Sequence, residues 1–352
     1  MFYYLIAAMF PLLFWGVYEI GKDKQQNIEK YKKWMVFFGI LPMFLMFVLR
    51  YKTIGADTPG YVRFFQTTIR DIPFSKLFVT ELMREEIGYR IYVKLISYLT
   101  SNYTIYFLIN AIVIFGTLYR FAFKFTENPF IFFFLFITLG TYQFIETGLR
   151  QSLAMVICIW ALSFAQKRKP IKFILTVILA YFFHKSAVIF LMVYPLTAIK
   201  KRETMIFFYV LFTGILVVGF SAFQSLFNEL LGYEYSVEET GNGLIFMALV
   251  SIVFIYSLLV NRKDTDEASG NRFLIHMAFL TALFWVLRLI SRTAERISYY
   301  FIPGLYLYFS QTAKYNDDKI AIALRWLIII VCFALFIYRN VGVGYLFFWA
   351  RG

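Results

Sequence analysis

Apolar residues in this chain neither alternate nor keep to one helical face. They come in near-continuous runs, each ended by a small cluster of charges. About 20 apolar residues in a helix cross a bilayer core about 30 Å thick. On that ruler, spans fall near 2–20, 34–50, 103–119, 129–146, 149–165, 171–184, 186–199, 204–223, 244–260, 273–290, 297–312 and 326–338, about twelve in all. The pattern predicts an all-α, polytopic integral membrane protein in which some spans are short or re-entrant. No internal repeat or flexible linker divides it, so residues 1–352 read as one membrane domain.

Composition sharpens this. The chain is 61% hydrophobic and 16% charged, against about 45–50% apolar and about 25% charged in a soluble domain. A soluble globule, a disordered chain and a disulfide scaffold are excluded. Cys158 and Cys332 lie inside apolar runs, and neither they nor the two histidines form a metal-binding pattern. The start MFYYLIAAMF has no basic segment before its apolar run and reads as a retained span.

The net charge is +14, from 35 basic and 21 acidic residues. In a membrane protein Lys and Arg first set orientation. The clusters at 21–33, 166–172, 200–203 and 262–272 are expected inside. The N-terminus is then outside, with a long first outer loop at 51–102 and a second outer loop at 224–243. The second loop carries Glu229, Glu234, Glu238 and Glu239 but no Lys or Arg. The stretch between the basic clusters at 166–172 and 200–203 is expected to cross and return, as two half-spans meeting at His184 and Lys185; the alternative is one long span, which would invert everything downstream. Twenty basic residues fall in inner loops and fifteen outside. The outer ones point away from nucleic acid and towards an anionic substrate at the membrane face.

Ionisable residues in or beside spans are costly and usually mark function. Arg50, Glu146, Arg150, His184, Lys185, Arg288, Arg292, Glu295 and Arg296 fall at one depth in this topology. Arg288, Arg292 and Arg296 are spaced i, i+4, i+8, which predicts a stripe on one helical face. Such a stripe needs an anion, and Arg suits phosphate. Lys94 and Arg339 alone read as snorkelling to the interface. In RYKTIGADTPGY (50–61), Asp57 is either an N-cap for a helix starting near Pro59 or a group facing an outer cavity. Glu86 opens the amphipathic stretch EEIGYRIYVKLISYL, which predicts an interfacial or re-entrant helix. His184 suits proton transfer near neutral pH, whereas His276 reads as structural.

These motifs also carry a resemblance. R-x3-IGADTPGYxxFF, then Glu86-x-Gly88-Tyr89, GLRQSLA at 148–154, FHKSA at 183–187 and Arg296-Ile-Ser-Tyr299-Tyr300, in this order, resemble the EpsG family within the broader Wzy group of polysaccharide polymerases. The likeness covers roughly residues 1–310. The chain departs from many relatives at its end, NVGVGYLFFWARG, which lacks a Pro-Tyr tail.

The resemblance implies a polymerase that moves a growing glycan from undecaprenyl diphosphate to the non-reducing end of a new lipid-linked repeat. The reaction would take place at the outer face of a bacterial cytoplasmic membrane. On that reading Asp57, Glu86 and His184 are the candidate bases, left open among themselves, and Arg50, Arg150, Arg288, Arg292 and Arg296 the candidate diphosphate ligands. Tyr61, Tyr89, Gln151, Lys185 and Tyr300 are candidate substrate-binding residues. No cofactor or metal is expected. The expected partners are the lipid-linked oligosaccharide, the bilayer, and a flippase and chain-length regulator of the same pathway. The alternatives are another lipid-linked-sugar glycosyltransferase, an O-antigen ligase, or a flippase or transporter.

Overall fold

The computed structural model describes residues 1–79, 85–126, 128–199, 201–231, 243–261, 272–315 and 317–350. In chain order the helices are α1 (Phe2–Gly21), α2 (Ile28–Leu49), α3 (Thr58–Arg63), α4 (Ile69–Asp71), α5 (Ile87–Leu99), α6 (Tyr103–Phe125), α7 (Pro129–Thr138), α8 (Thr141–Thr147) and α9 (Leu149–Gln166). There follow α10 (Pro170–Tyr181), a 3-10 run (Lys185–Met192), α11 (Val193–Leu196), α12 (Arg202–Leu231), α13 (Leu244–Val260), α14 (Arg272–Leu287), α15 (Arg292–Ser298), α16 (Ile302–Gln311) and α17 (Lys319–Asn340). No strand occurs among the described residues; the only extended pairing there is an isolated antiparallel bridge between Arg50 and Phe347.

Among the described residues six helices are long and apolar enough to cross a membrane: α1 with its 3-10 extension, α2, α6, α9, α12 and α17. A seventh span is possible only if the bent pair α7–α8 is counted as one. The expected count of about twelve is therefore not reached by length. Four further apolar helices, Pro170–Tyr181, Lys185–Leu196, Leu244–Val260 and Arg272–Leu287, are shorter, at 10–17 residues. The reason is local: breaks at Gly140 and Gly148 and the turns at 182–184 and 288–291 divide stretches whose apolar content runs on uninterrupted.

All ten residues of α7 are buried, and it packs against α1, α2, α6, α16 and α17. A helix apolar on every side belongs at the centre of a bundle. Asn128 caps its start by accepting from the Ile131 N–H. Its end is set by Gly140, whose φ of +80° is open to glycine at little cost, and the chain turns through 61° into α8.

The amphipathic stretch forms α5, which buries two cations along with Tyr89, Val93 and Ile96. Arg90 and Lys94 face inward, 4% exposed each, while Leu95, Tyr98 and Leu99 face outward. Lys94 Nζ donates to the carbonyls of Ile69 and Arg70, both at 3.0 Å, and Arg90 Nη1 to that of Leu77 at 2.9 Å. Lys94 is thus a pin for the 69–79 segment and does not snorkel. Arg339 lies over the Phe246 ring, 4.8 Å from its centre, beside Gly140. The expected second outer loop starts inside α12, and its part at 232–242 lies outside the described residues. The final segment clasps the end of α2: Tyr51 N donates to Leu346 O and Phe348 N to Leu49 O, each at 2.8 Å.

Candidate functional site

Three distant parts of the chain meet at Glu86, which precedes α5 in extended conformation and is 8% exposed. Its Oε2 accepts from Arg150 Nη1 at 2.6 Å, and its Oε1 pairs with His184 Nδ1 at 3.1 Å and accepts from the Lys185 backbone N–H at 3.3 Å. Arg150 comes from the first turn of α9, immediately after the Gly148 break. His184 comes from the turn after α10, where the helix stops and His184 itself is extended.

Glycine makes this meeting close. Gly88 N donates to the Phe182 carbonyl at 2.8 Å, and a Cβ at Gly88 would stand 2.7 Å from that oxygen. The start of α5 and the 182–185 turn are in this way stitched backbone to backbone, with Glu86 and His184 facing each other across the seam. Tyr61 in α3 lies close enough to Arg150 and Asp57 to feel both charges.

The charges settle as anion, cation and neutral ring. Burial alone would raise the Glu86 carboxyl, but the hydrogen bond with His184 and the Arg150 guanidinium outweigh it and hold it down to about 2. Burial pushes His184 below its usual value, against the pull of Glu86 and with Arg150 and Arg296 adding to the push. A neutral His184 that donates from Nδ1 to Glu86 presents Nε2 as its basic nitrogen.

The other predicted residues divide. The stripe of Arg288, Arg292 and Arg296 does not exist on one helix, because α14 ends at Leu287 and a turn precedes α15. Ser291 caps the new helix by accepting from the Thr293 N–H, so the i, i+4, i+8 spacing loses its meaning there. Arg288 is turned back onto Glu295, Nε to Oε2 at 2.9 Å. Arg292 and Arg296 are exposed, and Arg296 is close enough to act on His184. Arg50 is fully buried between the rings of Phe47 and Phe107, out of reach of a ligand at the Glu86 site.

Asp57 occupies the N-cap position of α3 without a side-chain cap bond, and it is exposed. Gln151 Nε2 donates to the Arg296 carbonyl at 2.6 Å, so the first turn of α9 holds both Arg150 and the backbone of α15. Tyr89 and Tyr300 are wholly buried, bonded to the hydroxyls of Tyr106 at 2.7 Å and Ser186 at 3.0 Å. Neither presents its ring to a ligand. The Phe182 carbonyl carries a part of this geometry that no side-chain motif announced. Gly88 was legible only as the glycine of the Glu86-x-Gly88-Tyr89 motif.

The profile of the EpsG family matches residues 33–349, nearly the whole chain. The chain belongs to the EpsG family. This is the Wzy-like polymerase family, bacterial and membrane-associated, so the coarse activity is that of a glycosyltransferase-like polysaccharide polymerase. No curated protein and no solved structure matches the chain. As an EpsG-family member it places Glu86, Arg150 and His184, each drawn from a different family-like motif, in one hydrogen-bonded chain.

Proposed function

We infer that this EpsG-family protein polymerises lipid-linked oligosaccharide repeats at the outer face of a bacterial cytoplasmic membrane. It takes the growing glycan from undecaprenyl diphosphate and passes it to the non-reducing end of a new lipid-linked repeat. A hydroxyl of the incoming sugar attacks the anomeric carbon, the carbon–oxygen bond to the diphosphate breaks, and the diphosphate leaves with the electron pair. The hydroxyl proton goes to His184 Nε2. The observation that carries this reading is the buried Glu86–His184 pair, with Arg150 on the other carboxylate oxygen.

Glu86 is then the residue that fixes the His184 tautomer, and His184 is the base. The leaving diphosphate meets Arg296, exposed beside His184, with Arg150 at its back; positioned cations stabilise charge that develops in the transition state.

Replacement of the chromosomal copy by His184→Ala tests the reading, with glycan and lipid-linked intermediates resolved on gels. The expected result is loss of polymer with accumulation of single repeats on lipid. A normal ladder from a well-expressed variant refutes it. Loss of all repeats from the outer leaflet in a deletion strain would indicate a flippase instead.

A further inference from the structure

Behind the Glu86 site lies a second buried polar group that no part of the proposed chemistry uses. The guanidinium carbon of Arg50 is 4.1 Å from the centre of the Phe47 ring and 4.3 Å from that of Phe107. Its Nη1 donates to the backbone carbonyl of Glu146 at 3.0 Å, and Thr58 Oγ1 donates to the same carbonyl at 2.7 Å. Among the described residues Arg50 Nε and Nη2 and Glu146 Oε1 have no hydrogen-bond partner, and Glu146 Oε2 accepts from the Tyr4 hydroxyl at 2.9 Å.

The shared carbonyl belongs to the last turn of α8. A helix leaves its final carbonyls without partners of its own, and here the chain breaks at Gly148 before α9 begins. Arg50 and Thr58, from the loop after α2, supply the missing donors. Gly55 makes room for them: its φ is +94°, and a Cβ there would lie 2.3 Å from the same oxygen. Only Leu149 separates Gly148 from Arg150, so the angle of the break fixes where the Arg150 guanidinium points.

Both chain ends brace this group. Tyr4 of α1 bonds Glu146, the Tyr345 hydroxyl bonds the Met46 carbonyl, and Phe347 pairs with the Arg50 backbone.

We propose that Arg50, with Thr58 and Glu146, is a positioning device: it caps α8 from outside, sets the Gly148 break, and thereby aims Arg150 at Glu86. It touches no substrate. This rests on the reading of Arg150 and Glu86 as the working site, and it explains why an arginine beside the Asp57 loop is wholly buried when a diphosphate ligand needs access.

A double-mutant cycle on polymer formed per unit of membrane-inserted protein tests it, in the strain that makes the glycan. Arg50→Lys keeps the charge and loses the planar donor set. It is expected to lower polymer about tenfold in the otherwise unchanged protein and less than about twofold in the Arg150→Lys background, because residues acting through one another are not additive. Thr58→Val is expected to show the same dependence, with Thr58→Ser restoring polymer; this pair serves as the cycle if Arg50→Lys fails to accumulate. Effects that multiply in the double variant overturn the positioning role and leave the site reading intact. Full polymer from Arg50→Lys and Thr58→Val does the same. Full polymer from Arg150→Lys alone overturns the site reading, and this inference with it.

Discussion

Glu86→Gln is the most informative single change, because it keeps shape and removes an acceptor. Three donors converge on the two carboxylate oxygens: Arg150 Nη1 at 2.6 Å on one, His184 Nδ1 at 3.1 Å and the Lys185 N–H at 3.3 Å on the other. A glutamine amide offers one oxygen and one NH2 group. With its oxygen towards Arg150, the NH2 faces the Lys185 N–H and donates to His184 Nδ1, which moves the ring proton to Nε2 and removes the base. With its oxygen towards His184, the NH2 opposes Arg150. Loss of a general base costs about 10²–10⁴-fold in rate. Removing one partner of a buried ion pair costs about 3–5 kcal/mol, and the lower end applies because the Arg150 side chain keeps 23% of its exposure. Initial rates of polymer formation in membrane vesicles, with thermal unfolding of the purified protein, measure the two effects separately. The pH profile adds a sign. His184 must be neutral to accept a proton, so activity falls as pH drops through its folded value, which burial sets below 6.5. Glu86 pulls that value up, so the acid limb of any residual activity is expected to move to lower pH in the variant. Glu86 itself titrates at about 2 when folded against 4.5 ordinarily. Its contribution to stability is therefore whole above about pH 4.5 and lost as pH falls towards about 2. A wild-type rate and an unmoved acid limb in Glu86→Gln would refute the tautomer argument.

Three other outcomes follow from the same geometry. Gly88→Ala places a Cβ 2.7 Å from the Phe182 carbonyl; it is expected to part the seam between α5 and the 182–185 turn and lower polymer by about 10²-fold, since small misplacements at a site carry that cost, as read on a glycan gel. Arg296→Ala is expected to raise the lipid-linked substrate concentration needed for half-maximal rate about tenfold or more while protein level holds, and Arg296→Lys to recover part of it, because a charge-assisted hydrogen bond contributes about 1.5–3 kcal/mol. Lys94→Met strips two buried carbonyls of their donor; at about 1–3 kcal/mol for an unmet buried group, a lower unfolding temperature is expected, and an unchanged one would show that water replaces the amine.

What the sequence makes legible here is composition at the scale of a helix, not its interruptions. The apolar runs mark the helices, and His184 falls between two short ones, as the charge at 166–172 and 200–203 requires. The break inside the 288–298 stretch is written in one residue, Ser291, a serine N-cap with Glu295 four residues on; reading helical period straight across it produced a stripe that does not form. Lys94 shows the same limit. Its place on an amphipathic helix suggests the interface, but whether a cation turns out or in depends on which carbonyls the neighbouring loop leaves unpaired. The members of the Glu86 site are each visible as residues that do not belong in apolar surroundings. Their pairing is not visible, because Glu86 is 64 residues from Arg150 and 98 from His184, and only the folded bundle closes those distances.

The five arginines that looked equivalent in sequence are separated by what balances each one. Arg50 has a backbone carbonyl and two aromatic faces, and works as a cap. Arg288 has Glu295, which turns it away from solvent. Arg150 has Glu86, whose second oxygen is committed to His184, so its charge is balanced before any substrate arrives. Arg292 and Arg296 alone of the five are exposed on α15. A cation already balanced by a buried carboxylate adds little net attraction for a diphosphate but holds its shape. A polymerase that must admit a charged lipid, hold it for one transfer and release it has use for both kinds side by side. On the proposed reading, the fixed pair of Arg150 and Glu86 gives the reacting centre its geometry, and the exposed arginines of α15, tethered through Gln151 to the same first turn of α9, stand where the charged substrate would arrive.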